Sequence, residues 1–215
     1  MIALPARLGA VLMSLLFIVS ACSPPDPGEE VPRETALPTS DTAATYTSAQ
    51  YGFSLSFPKD TFAVAERASG EELPPEAQSY IPACLSEAAA CVYYAGDAFE
   101  NTNFGGAGVS VSLTGDTAAC GKRARRKYPV DSARTVTISG VPFTTLQTGE
   151  AGMSHRAKET WYWTVHDGRC LTLVARISYS VYEVYEPGSI EKFSEADRAR
   201  LREQLKRIVR NFSLK

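Results

Sequence analysis

Glu159-Thr160-Trp161-Tyr162-Trp163-Thr164-Val165-His166 and the run from Arg169 to Val181 are separated only by Asp167-Gly168. Aromatic and β-branched residues fill both runs, as pleated strands favour. An Asp-Gly pair between two such runs signals a type I′ hairpin, because both residues accept positive φ. A two-residue loop also fixes the register. It sets Val165 opposite Cys170, Trp163 opposite Thr172, Trp161 opposite Val174 and Glu159 opposite Arg176. The other face carries Thr164 with Leu171 and Tyr162 with Leu173. Both faces are largely apolar, so this hairpin belongs inside a sheet that is covered on both sides. Helices over both faces would do this, as would a helix on one and a loop layer on the other.

Outward from the hairpin, strand signals dominate. Thr135–Ile138 and Val141–Thr144 flank Ser139-Gly140 as a second hairpin, with Pro142 marking an edge or bulged strand. Val109, Val111 and Leu113 alternate with Ser110, Ser112 and Thr114, the pattern of a half-buried strand. Gly105, Gly106 and Gly108 look like a loop feeding it. Tyr51–Pro58 alternates and stops at proline, and Cys91–Ala95 adds a further strand. A final helix starts at Ser194, with Asp197 three residues on and Leu201, Leu205, Ile208, Val209 and Phe212 on one stripe. A second helix is expected from Thr117 to Tyr128, capped by Asp116 and weakened by Gly121. The expected fold is therefore a single α+β domain over 46–215, an antiparallel sheet with helices packed on its faces in an α/β/α-type sandwich.

The amino-terminal region has a different character. Arg7 precedes the apolar run Leu8–Ala21, which is too short for a bilayer core needing ~20 helical residues. Residues 1–21 therefore read as a signal peptide. Val19-Ser20-Ala21-Cys22 resembles a bacterial lipobox, whose cysteine takes the lipid that anchors the mature chain. By the same resemblance Ser23, where aspartate would favour retention in the inner membrane, permits the outer membrane. Residues 22–45 form a lipidated cysteine and a Pro-rich acidic tether, with Asp26, Glu29, Glu30, Glu34 and Asp41 against Arg33. Fully extended, this tether reaches at most ~70 Å.

The chain has five cysteines, an odd number. Assigning Cys22 to lipid leaves Cys84, Cys91, Cys120 and Cys170 for an oxidising compartment. Four cysteines allow three pairings. The expected one is a local bridge between Cys84 and Cys91, with Cys120 and Cys170 stapling a helix to the central hairpin. No C-x-x-C spacing implies a redox or zinc site.

With 22 Lys+Arg against 24 Asp+Glu in 215 residues, the formal charge of -2 suggests no nucleic-acid partner. His155 and His166 read as surface residues, and no motif implies a catalytic residue, a metal or a cofactor. Ser189-Ile190-Glu191-Lys192 matches S-x-x-K without the companion K-T-G. Lys122, Arg123, Arg125, Arg126 and Lys127 form a basic cluster. It reads either as a solvated helix end or as a patch for an anionic envelope polymer or glycolipid. Trp161, Trp163, Tyr179, Tyr182 and Tyr185 either pack in the sheet or line a groove.

Tyr51–Pro58 and Leu205–Phe212 resemble the two ends of PsbP-like domains, and Asn101-Thr102-Asn103-Phe104 with the cysteine pattern resembles uncharacterised bacterial lipoproteins. The resemblance implies an antiparallel sheet between helices, used for binding or assembly, and it carries over no functional residue. The resulting expectation is a membrane-tethered accessory of the cell envelope, in the outer membrane facing the periplasm, that binds an envelope protein or polymer. The alternatives are an envelope hydrolase and a module binding anionic glycolipid through the basic cluster.

Overall fold

A computed structural model describes residues 42–66, 82–126 and 132–215. The signal segment, Cys22, Lys127, Tyr128 and nearly all of the tether lie outside the described residues. The chain forms β1 (Ala43–Ser48), β2 (Phe53–Pro58), β3 (Phe62–Glu66), β4 (Ala90–Tyr94) and β5 (Phe104–Thr114). A short helix α1 (Lys122–Arg125) precedes β6 (Arg134–Ile138), β7 (Val141–Gly152), β8 (His155–His166) and β9 (Arg169–Ser180). Helix α2 (Glu195–Arg210) and β10 (Ser213–Leu214) follow. A seven-stranded sheet has the order β3-β4-β5-β9-β8-β7-β6, and a three-stranded sheet the order β1-β2-β10. All the pairings between these strands are antiparallel. The fold is thus a single α+β domain with open sheets. Pairing starts at Ala43, so Ala43–Thr45 belong to the domain although their composition matches the tether.

The β8–β9 hairpin has the register that its turn dictates, with Trp161 opposite Val174 and Glu159 opposite Arg176. Asp167 and Gly168 both take positive φ, 48° and 69°, as a type I′ turn requires. The hairpin lies inside the large sheet, and its two faces are covered differently. On one face Tyr162, Leu171, Leu173, Ala175 and Ile177 join a core that includes Leu201, Leu205, Ile208 and Val209 of α2 and Phe53, Leu55 and Phe57 of β2. Phe53 also stacks on Phe212 at 5.7 Å, tying the small sheet to the end of the helix. A capping box starts α2: Ser194 Oγ accepts from the Asp197 N–H at 3.1 Å, and the Asp197 carboxylate accepts from the Ser194 N–H at 3.0 Å.

The opposite face has no long helix. Trp161, Trp163, Leu146, Val174 and Cys170 pack there against Leu85, Ala88, Cys120 and Ala124, from a loop and a short helical segment. The helix expected over Thr117–Tyr128 is instead a 3-10 turn at Thr117–Ala119 followed by α1. Gly121 separates them at φ 70°, and a Cβ there would fall 2.3 Å from the Trp163 indole nitrogen. Close packing on the tryptophan and a left-handed residue together stop the helix.

Three further strand expectations change for related reasons. β5 is buried on both faces rather than one, since the loop at 82–89 covers its serines: the Leu85 N–H donates to Ser110 Oγ at 2.9 Å. Gly105, Gly106 and Gly108 lie within β5 rather than in a loop before it. At Gly108 a Cβ would stand 2.9 Å from the Val92 carbonyl, so the neighbouring chain can approach only a glycine. Pro142 lies on β7, which is second from the edge. Ile138 and Val141 flank the two-residue turn as a hydrogen-bonded pair, so the Pro142 nitrogen points away from β6. Pairing of β7 with β8 starts only at Thr144, and the missing donor leaves no gap in the ladder.

On this covered face Glu159 and Arg176 form a buried ion pair. Arg176 Nε donates to Glu159 Oε1 at 2.7 Å and its Nη1 to the Pro82 carbonyl at 3.1 Å. Glu159 Oε2 accepts from Trp161 Nε1 at 2.7 Å and from Thr148 Oγ1 at 3.1 Å. Removing one member of such a pair leaves an uncompensated buried charge, so Glu159→Ala is expected to destabilise by ~3–5 kcal/mol. Urea unfolding measures this. A loss below ~1 kcal/mol would mean that Arg176 reaches water or another partner.

Tyr94 packs edge-on against Phe62 and Phe104 at 5.8 and 5.5 Å. Burial pushes its hydroxyl from 10.0 up to about 12. The raised value means that the fold favours the neutral phenol. Its contribution is complete below pH 10.0 and is lost as pH rises toward about 12. Tyr94→Phe should make stability fall less steeply across that window, as followed by denaturant unfolding at alkaline pH.

Candidate functional site

The four domain cysteines pair as Cys84–Cys91 and Cys120–Cys170, with Cα–Cα distances of 5.8 and 5.4 Å. The first closes the loop that lies on β5. The second joins the segment before α1 to the start of β9. Both bridges hold the irregular layer onto the tryptophan face of the sheet.

The basic cluster is placed against that layer. The Arg123 guanidinium stands 5.8 Å from the Trp161 ring and pairs with Glu87. Arg125 stands 5.6 Å from Trp163 and donates from Nη2 to the Cys120 carbonyl at 2.8 Å. All four described cations of the cluster are exposed, but Arg123 and Arg125 lie over the tryptophans, while Lys122 and Arg126 make no such ring contact. Of the two readings of the aromatic residues, packing rather than a single groove is what the structure shows for the tryptophans. Trp161 and Trp163 are buried beneath the arginines, and Tyr179 points to the opposite face under Arg198 at 4.8 Å. Tyr182 donates to the Ile190 carbonyl at 3.3 Å, and Tyr185 is exposed.

The remaining candidates have local structural roles. His155 Nδ1 lies 3.2 Å from Ser180 Oγ across the strand pair, and His166 lies beside Asp167 at the hairpin tip. Ser189 Oγ donates to the Glu186 carbonyl at 2.8 Å, while Lys192 approaches Glu183 at 3.8 Å. The serine and lysine of S-x-x-K are thus each engaged with other groups. Asn103 is buried and joins two elements: its Oδ1 accepts from the Phe193 N–H at 2.7 Å, and its Nδ2 donates to the Ser180 carbonyl at 2.5 Å. Among the described residues no group of three or more His, Cys, Asp or Glu is placed to hold a metal.

One cavity was not anticipated from the sequence. A groove of about 290 Å³ opens between α2 and the face of β7, β8 and β9. Ala175, Ile177 and Leu205 supply apolar lining; Gln147, Thr160, Lys158, Arg202, Lys206 and Glu195 supply polar lining. Glu195 pairs with Arg198 at 2.9 Å and with Arg202 at 3.4 Å. Lys206 pairs with Glu203 at 2.6 Å, and Arg210 lies 3.9 Å from the same carboxylate. Hydrogen bonds from Arg198 and Lys206 hold the Glu195 and Glu203 carboxyls, respectively, below the usual range. The sequence signal was the four-residue spacing of Arg198, Arg202, Lys206 and Arg210. Nothing in the sequence placed Lys158 across from it.

No family model matches the sequence. No curated protein matches it either. A crystal structure from Bacteroides thetaiotaomicron is similar over 80% of this chain and 48% of that one, at 13% identity and a TM-score of 0.38. This chain thus spans about half the length of that protein.

The two disulfides should contribute unequally. Loop-closure entropy gives ~2.5 kcal/mol for Cys84–Cys91 and ~4 kcal/mol for Cys120–Cys170. Replacing Cys120 and Cys170 together by alanine should therefore lower stability more than replacing Cys84 and Cys91, as measured by urea unfolding. Non-reduced peptide mapping should recover both bridges; four free thiols would remove the argument.

Proposed function

We propose that this chain is a lipid-anchored accessory of the bacterial cell envelope that acts by binding rather than by catalysis. The observation that carries this reading is the disposition of its five cysteines. Four are joined in two bridges within the domain. The fifth, Cys22, closes the apolar run Leu8–Ala21 and precedes a Pro-rich acidic tether. Disulfides persist in oxidising compartments, and a cysteine after a short apolar run suits lipid attachment. By the resemblance to bacterial lipoproteins, Ser23 permits the outer membrane, with the domain facing the periplasm.

A PsbP-like relationship remains part of the proposal. The two segments that carry the resemblance meet in space, since Phe53 stacks on Phe212. Their contact assigns no ligand. Binding is favoured by the groove beside α2, which combines apolar and charged lining.

Metabolic labelling with an alkyne fatty acid tests the anchor. The native chain should carry label and sediment with membranes. Cys22→Ser should lose the label and appear as soluble or unprocessed protein. Equal labelling of the two chains would overturn the assignment of Cys22.

A further inference from the structure

The groove beside α2 carries more positive charge than its carboxylates offset. Lys158, Arg202 and Lys206 line it with Glu195 and Glu159, and the Glu159 charge is already paired with Arg176. Among the described residues the Lys158 ammonium has no hydrogen-bond or ion-pair partner, although the charge of Glu195 is near enough to be felt. Lys158 and Thr160 are two residues apart on β8 and share a face of the sheet. Opposite them, Arg202 and Lys206 are one helical turn apart on α2. Arg202 approaches Glu195 at 3.4 Å, a longer contact than the 2.9 Å of Arg198, so much of its five-donor fork is available to a ligand.

We propose that this groove binds a small organic phosphomonoester, with the phosphate held by Lys158, Arg202 and Lys206 and the organic part resting on Ala175, Ile177 and Leu205. The inference rests on the binding reading above and names the ligand class. A phosphate dianion matches several converging cations, and an arginine fork with two lysine point charges suits its oxygens. The apolar lining favours an ester over inorganic phosphate. At about 290 Å³ the groove suits a compact organic group, near the lower end of the ~300–1,000 Å³ typical of ligand pockets. The same phosphomonoester occurs on soluble molecules and on the headgroup of phosphatidic acid.

Titration calorimetry on the full chain in non-ionic detergent, with phenyl phosphate as the probe, tests the proposal. Saturable binding is expected, tighter than that of inorganic phosphate. Lys158→Gln should weaken it about tenfold, the scale of one lost charge-assisted hydrogen bond. Lys158 is exposed and unpartnered, so this variant should keep the native melting temperature. Lys122→Gln, on α1, should leave the affinity unchanged. Absence of saturable binding, or equal weakening by Lys122→Gln and Lys158→Gln, would overturn the proposal. Among binding-competent samples, vesicles of phosphatidylcholine with and without phosphatidic acid then identify the source. Competition by phosphatidic acid supports binding of the lipid headgroup, while unchanged phenyl phosphate affinity supports a soluble ligand. The detergent titration does not depend on lipid at Cys22, so its failure is distinguishable from failure of the anchor.

Discussion

The Glu159–Arg176 pair is the constraint around which the covered face of the large sheet is arranged. Two opposite charges removed from water are tolerated only when their remaining donors and acceptors are satisfied. Those partners come from three places in the chain: Thr148 on β7, Trp161 on β8 and the Pro82 carbonyl. A one-residue slip of β8 against β9 would send the two charges to opposite faces. The tight turn at Asp167-Gly168 and the ion pair therefore require the same register. The Pro82 contact extends that requirement to the loop that covers β5.

That loop explains why the two faces of one sheet are built so differently. On the α2 side, aliphatic and aromatic side chains from the sheet, helix and small sheet form one continuous core. On the other side the cover is irregular, and an irregular layer buries less apolar surface for each residue that it orders. Two disulfides constrain it, and arginines lie on the exposed sides of Trp161 and Trp163. The basic cluster near α1 thus has a packing role through Arg123 and Arg125. The positively charged groove lies across the sheet from it, beside α2.

Much of the fold was legible because local rules and global packing agree. The β8–β9 hairpin, the capping box at Ser194 and the apolar stripe of α2 each depend on neighbours within a few residues. The Thr117–Tyr128 segment misled because helical spacing cannot reveal an indole pressed against Gly121. Ser110 and Ser112 misled because small polar residues accept burial when a loop supplies their partners. The groove was barely legible. Its cations on α2 have a visible period, but Lys158 joins them only through the packing of helix on sheet.

By itself the sequence determined the hairpin register, the α+β class, the long final helix and the distinction between an odd cysteine and four that can pair. Those features follow from turn chemistry, side-chain periodicity and cysteine arithmetic, all of which act over short distances or by count. Tertiary structure alone decided which face receives the helix and which cations share a groove. Each of these depends on residues far apart in the chain, brought together by the burial of apolar surface rather than by any preference of their own.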